Sequence, residues 1–539
     1  MPTPTRAEFV SQAAALRAAP PGDAVIVPVS LRLLADQLTP VVAYRRLVAP
    51  DERDAPSFLL ESVEGGERQG RYSILGAQPA IEVIAKGEAS EVVLHVPRCQ
   101  WLAVKARQAQ DPLTALRAFT HGLHLGELPG LPGCFLGGLV GYAAYDSVRY
   151  AEPGKLGFAS APPDDRGLPD LHFGFYDNVV VFDHAAKVVV LVHLAAIAPG
   201  ADAGAAYDAA AGLLAERAAE LEQHREPLRS GEMPWDLGAI APTSNMTREE
   251  HAAMLARAKE YIRAGDIFQV VLGQRFERPS VADPFDVYRA LRTVNPSPYM
   301  AYIQASGCIL VASSPEILCR VRRDAGGAMV VTNRPLAGTR RRGKTTEEDL
   351  ALERELLADA KERAEHVMLV DLGRNDVGRV ASPGSIALPG VMEIERYSHV
   401  MHISSTVTGR LRDGLDCWDA LRAALPVGTI SGAPKIRAMQ IIDELEPVRR
   451  GPYGGGLGYV GVDGQMDIAL ALRTIVVPLK DRPDGGWKYH MQASGGIVAD
   501  SVAADEYMET VNKAAAMNRA LAVAELALGS KPGGAATRS

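Results

Sequence analysis

The sequence predicts an α+β protein in two units, and three observations carry that prediction. Residues 24–194 break into short Val/Ile/Leu runs divided by Gly, Pro and Asp, the pattern of a β-rich unit. Residues 225–246 hold Pro227, Pro234, Pro242, Gly231 and Gly238, the best linker composition in the chain. Beyond that stretch, strands and helices mix irregularly up to a long final helix from about residue 505. The expected domains are therefore residues 1–235 and 245–525.

Bulk properties narrow the classes. A chain of 539 residues, 47% hydrophobic, can bury large cores. Its 57 basic and 65 acidic side chains leave a net charge of -8, which gives no electrostatic footprint for nucleic acid. Cys99, Cys134, Cys308, Cys319 and Cys417 are odd in number and lack metal-ligand spacing, so a reduced, cytoplasmic setting is expected. The N-terminal stretch has no apolar core flanked by basic residues, so no signal peptide is expected. The longest apolar run, residues 188–198, contains His193 and is Val-rich, which predicts a buried strand rather than a membrane span.

In chain order, residues 80–84, 91–96 and 179–182 are expected as strands and residues 201–223 as an Ala- and Glu-rich helix. Thr247-Arg-Glu-Glu250 is a capping-box signature, and Gly265 can end the helix it starts. Residues 267–276 (IFQVVLGQRF) form the next strand, with Gln269 and Val271 on one face and Val270 and Leu272 on the other. A helix over residues 361–376 (KERAEHVMLVDLGRND) sets Glu362 and Glu365 on one face, three apart, with His366 beside them. The final helix repeats the spacing with Glu506 and Glu509. Two such pairs describe either solvated acidic faces or one oxygen-rich site for a hard cation such as Mg²⁺. The tail, residues 529–539, should be disordered, and no repeat of fixed period is present.

Two glycine motifs compete with that reading. Residues 338–345, GTRRRGKT, match a phosphate-loop pattern, and VMLVD at 367–371 could be a strand bearing a magnesium aspartate, which would make an NTPase. Pro335 interrupts the strand such a loop needs, and Glu347, Glu348 and Asp349 fill the helix turn where a triphosphate would sit. GGLGYVG at 455–461 contains G-x-G-x-x-G, but a turn and a strand follow it instead of the helix dinucleotide binding requires.

The second unit carries SSPE (313–316), RPLAGT (334–339), KERAEHVMLVDLGRND (361–376), VMH (400–402), GTISGAPK (428–435) and QASGGI (492–497) in order. With these motifs it resembles the chorismate-utilising enzymes throughout, and within them the large subunits of anthranilate synthases. Three features select that branch. Gln269 stands where relatives that add water to chorismate carry a basic lysine, so a ready-made nucleophile, ammonia, is implied. Ala337 stands where many aminodeoxychorismate synthases carry a lysine thought to attack the ring; alanine cannot. LLES (59–62) and NPSPYM (295–300) resemble the tryptophan feedback site. Gly373 and Gly273 depart from the family pattern without removing a chemical group.

The resemblance implies a layered antiparallel β-sandwich flanked by helices, with a regulatory N-terminal unit packed on a catalytic one. It implies conversion of chorismate and ammonia to anthranilate and pyruvate, the first step of tryptophan biosynthesis. Glu316 matches the general acid and His402 the histidine of the pyruvate-eliminating step, while His399 reads as structural. Gln269 and Thr429 complete the catalytic set. Tyr453 and Arg473 would hold the enolpyruvyl carboxylate, and Gly495, Gly496 and Lys513 the ring carboxylate, with Ala337, Gly338 and Thr339 also at the substrate. Mg²⁺ would be held by Glu365 and Glu509 directly and by Glu362 and Glu506 through waters. The effector set for tryptophan is Glu61, Ser62, Asn295, Pro298, Tyr299, Met300, Leu457 and Tyr459. Cys134 lies in PGCFLGGLVGY, which resembles the family's own N-terminal segment and not an amidotransferase nucleophile. A separate glutamine amidotransferase subunit is therefore expected, in a heterotetramer. The alternatives are an aminodeoxychorismate or aminodeoxyisochorismate synthase and, in other classes, the NTPase or an inactive tryptophan sensor.

Overall fold

The computed structural model describes residues 2–17, 24–34, 36–64, 68–198, 200–223, 228–233, 241–397 and 400–528. Part of the expected linker, His399 and the 529–539 tail lie outside the described residues. Two large sheets dominate, one of 13 strands and one of 11 among the described residues. Their pairings are antiparallel except that Ala24–Leu33 runs parallel to Leu123–Leu125. The expected α+β sandwich is present.

Both stretches expected as separate units supply strands to both sheets. In the larger sheet Ser57–Glu61 pairs with Tyr299–Ala305, placing Glu61 opposite Met300. In the smaller, Gly138–Ala143 pairs with Gly456–Gly461. The two sheets face each other across a core that includes Phe58, Val140, Ala301, Leu310, Leu457 and Val476. Burying each of these side chains other than Ala301 contributes about 1.5–3 kcal/mol. A one-residue slip would turn every one of them to the wrong face, so the core fixes the register.

Local chemistry sets the elements that carry the site. Helix Arg248–Ala264 starts with a reciprocal capping box, Glu250 N to Thr247 Oγ1 at 3.1 Å and Thr247 N to Glu250 Oε2 at 2.7 Å. It stops at Gly265, whose φ of 83° suits glycine. Strand Gln269–Ser280 alternates as its sequence requires. Val271 enters one core cluster, and Val270 and Leu272 enter another. Helices Ala360–Gly378 and Ala503–Val523 carry the two carboxylate pairs.

Neither glycine decoy has the geometry of a nucleotide site. Residues 338–341 lie in strand Leu336–Arg341, and VMLVD lies in helix Ala360–Gly378. The amides after the strand are already taken, Lys344 N by Glu348 Oε2 at 2.7 Å and Gly343 N by Asp349 Oδ1 at 2.8 Å. Strand Gly456–Gly461 continues into strand Met466–Leu470, so no helix N-terminus faces its glycines. Among the described residues no helix is long and apolar enough to cross a membrane.

Candidate active site

The carboxyl of Glu316 is buried at the turn after strand Cys308–Ser314, 3% exposed. Its Oε1 accepts a hydrogen bond from Thr429 Oγ1 at 2.9 Å, which leaves the other oxygen to carry a proton. Loss of solvent is the dominant influence and raises its pKa to about 8, Glu395 adding to the rise while Thr429 and Lys513 oppose it. A carboxyl that is still protonated at neutral pH is a competent general acid.

His402, on strand Val400–Arg410, faces the same region. Its Nδ1 lies 2.9 Å from the Gly338 carbonyl oxygen and 3.1 Å from Thr339 Oγ1. A carbonyl can only accept, so the proton sits on Nδ1 and Nε2 keeps a lone pair. Burial first, then nearby Arg473, lowers the imidazole pKa to about 4, so the ring is neutral at pH 7. Its hydrogen bonds make residues 338–339 positioning elements for this histidine.

Opposite it, Arg473 adopts a left-handed backbone with φ of 45°. Burial lowers its pKa, and no carboxylate among the described residues pairs with it. A half-buried guanidinium with no carboxylate partner has its fork of N–H donors available to an anion. Tyr453 donates to Ser494 Oγ at 2.9 Å.

Three of the four carboxylates, Glu365, Glu506 and Glu509, converge on a glycine strand. A Cβ on Gly495 would lie 3.0 Å from Glu506 Oε2 and 3.8 Å from Glu509 Oε1. One on Gly496 would lie 2.5 Å from Gln269 Nε2 and 3.8 Å from Glu365 Oε1. A side chain at either position would push these acidic and amide groups aside. Burial first, then Glu362 and Glu509, raises the pKa of Glu365, and burial raises that of Glu506 with Glu509 adding to it. Glu506 is 8% exposed, and its Oε2 is buried without a hydrogen-bond partner. Glu509 is more exposed and pairs with Lys513 at 2.6 Å, while Lys513 also donates to the Ser494 carbonyl at 2.9 Å.

No three His, Cys, Asp or Glu side chains among the described residues close on one point as a complete cation cage. Mg²⁺ does not require one, since it keeps several waters and uses one or two carboxylates plus its substrate. An orphaned buried oxygen on Glu506 and an all-oxygen donor set fit such an ion.

Strand Gln269–Ser280 brings Gln269 to the same place, 2% exposed, with Oε1 buried and unpartnered. The residues expected to form a tryptophan site gather as well. All of them except Asn295 line one cavity of about 630 Å³, which also reaches Glu316. Asn295 instead donates from Nδ2 to Ser313 Oγ at 2.9 Å, three residues before the acid. Glu61 is fixed by Tyr288 Oη at 2.7 Å and by Arg292. Cys134 lines this cavity too, and burial pushes its thiol up to about 12, which removes it as a nucleophile.

Several side chains here were not singled out in the sequence. Asp467 holds both Arg320 and Arg322 at the cavity wall. Glu395 accepts from Tyr397 Oη at 2.8 Å, and the Tyr397 ring meets His402 edge-on with centroids 5.6 Å apart. The alternation of Glu393, Glu395 and Tyr397 just before VMH was the available signal.

Residues 56–519 match the family model described as chorismate binding enzyme. The chain is 52% identical over 518 residues to anthranilate synthase alpha subunit 1, chloroplastic, of Oryza sativa subsp. japonica, covering 93% of this chain and 88% of that one. It is 47% identical over 501 residues to anthranilate synthase component 1 of Pseudomonas putida, covering 93% and 96%. The crystal structure of anthranilate synthase component I from Streptococcus pneumoniae TIGR4 superposes with a TM-score of 0.68 at 35% identity, over 90% of this chain and 98% of that one. The menaquinone-specific isochorismate synthase of Escherichia coli, 16% identical with a TM-score of 0.63, shares the fold. The chain belongs to the chorismate-binding enzyme family. Within that family it stands with the anthranilate synthase component I enzymes, chorismate-utilising lyases of tryptophan biosynthesis.

Proposed function

We propose that this chain aminates chorismate with ammonia and expels pyruvate to give anthranilate, with Glu316 as acid and His402 as base. The observation that carries the proposal is the opposed tuning of those two groups, a carboxyl raised to about 8 and an imidazole lowered to about 4. Arg473 and Tyr453 bind the enolpyruvyl carboxylate; Lys513 and the amides at Gly495 and Gly496 orient the ring carboxylate. The unpartnered Gln269 Oε1 accepts an N–H of ammonia and aims the nitrogen at the carbon beside the ring carboxylate. As the C–N bond forms, the ring double bonds shift, the hydroxyl departs as water with the Glu316 proton, and the ammonium nitrogen releases one proton to solvent, from which the Glu316 carboxylate is reprotonated. His402 Nε2 then takes the hydrogen from the aminated carbon, the ether C–O bond breaks, and enolpyruvate leaves to become pyruvate.

Glu365 and Glu509 directly, and Glu362 and Glu506 through waters, would hold Mg²⁺, which would supply Lewis-acid polarisation of the ring carboxylate. Two rate limbs follow. Turnover with ammonium salt, corrected for the ammonia fraction, should fall above about pH 8 as Glu316 ionises and below about pH 4 as His402 protonates. A profile flat through pH 8 to 9 would remove Glu316 from the acid role.

The cavity at Ser62 and Tyr299 serves as a feedback site for tryptophan, and residues 1–235 supply its regulatory part. Ser62→Phe should raise the half-inhibiting tryptophan concentration about tenfold or more, equivalent to about 1.4 kcal/mol, with the uninhibited rate retained. Unchanged inhibition would place the effector elsewhere. A glutamine amidotransferase subunit supplies the ammonia, in a heterotetramer. The five cysteines, none in a disulfide, support a reducing cytoplasmic location.

A further inference from the structure

The arginine run of residues 338–345 makes no nucleotide site, and each of its arginines grips acidic side chains instead. Arg341 pairs with Glu348 at 2.6 Å and Arg342 with Asp349 at 2.8 Å, both at the start of helix Thr346–Ala358. Arg340 differs, because one of its partners belongs to the candidate cation site. Its Nε donates to Glu355 Oε1 at 2.8 Å, one terminal nitrogen to Asp359 Oδ2 at 2.9 Å, and the other to Glu362 Oε1 at 3.3 Å. That last nitrogen also donates to the Thr339 carbonyl at 3.0 Å, so the guanidinium is anchored on its own strand. The second oxygen of Glu362, Oε2, would lie 3.2 Å from a Cβ on Gly338. Glu362 is therefore held against the strand that also positions His402, while Glu506 keeps a buried, unpartnered oxygen.

We infer that Arg340 is a positioning residue that withholds Glu362 from the divalent cation in the substrate-free protein. The inference rests on the cation-site reading above and adds a competitor to it. A guanidinium bound to a carboxylate lowers that carboxylate's call on a metal, and its own positive charge opposes the ion. Substrate-free protein then binds the cation through Glu365 and Glu506, with Glu362 held by Arg340 at 3.3 Å and Glu509 by Lys513 at 2.6 Å.

Mn²⁺ binding to the substrate-free full chain, followed by electron paramagnetic resonance of the free ion, tests this without turnover. Arg340→Gln should tighten Mn²⁺ binding on the order of fivefold, the scale of one nearby unit charge. Glu362→Gln alone should change affinity less than about twofold, and in the Arg340→Gln background it should cancel the gain. Arg340→Lys keeps the charge and guards against a folding defect; it should lie between wild type and Arg340→Gln. Unchanged or weaker binding in Arg340→Gln, or a large loss in Glu362→Gln alone, overturns the inference. Wild-type binding that Glu506→Gln does not weaken overturns the cation-site reading itself.

Discussion

Glu316→Gln should lower the rate of anthranilate formation about 10²–10⁴-fold while chorismate still binds. Glutamine is nearly isosteric, and its amide oxygen can accept the Thr429 hydrogen bond that Glu316 Oε1 accepts at 2.9 Å. Packing is therefore preserved and only the transferable proton is lost. Burial keeps that proton on the carboxyl at neutral pH, which is why the group can assist a hydroxide-like leaving group that water alone would not. The loss should fall on kcat, since the interaction strengthens as the C–O bond breaks. Chorismate binding, followed by quenching of intrinsic fluorescence in the presence of Mg²⁺, should change less than about threefold. Wild-type turnover in Glu316→Gln would remove this residue from the chemistry.

His402→Met should split the reaction at its second step. Methionine fills similar space but has no basic nitrogen, so amination proceeds and elimination slows about 10²–10³-fold. Chorismate and ammonium should then yield an aminated, non-aromatic product, seen by liquid chromatography, with pyruvate release lagging behind chorismate loss. The Nδ1–H bond to the Gly338 carbonyl leaves Nε2 as the available base, so the variant tests a defined tautomer. Anthranilate and pyruvate appearing together at the wild-type rate would place the base elsewhere.

Much of the site was legible because its signals are local. A carboxylate pair three apart on a helix, as in Glu362 and Glu365 or Glu506 and Glu509, is visible in either stretch alone. The capping box at Thr247 and the alternation around Gln269 are equally short-range. Pairing across long separations was not legible. That Ser57–Glu61 would lie against Tyr299–Ala305, or Gly138–Ala143 against Gly456–Gly461, depends on core packing that no window contains. Asn295 is a further case, since Pro298, Tyr299 and Met300 line the cavity beside Glu316 while its own side chain turns to Ser313. The role of Arg340 is equally invisible in any short window. Its role is set by Glu355, Asp359 and Glu362, which the next two helices bring to it.

Product analysis with ammonium as the nitrogen source tests the central claim most directly. The purified chain, given chorismate, Mg²⁺ and ammonium salt, should form fluorescent anthranilate and pyruvate in equal amounts, and Glu316→Gln should form both at least about a hundredfold more slowly. Isochorismate, or an aminated product without pyruvate, from the wild-type chain would contradict the account.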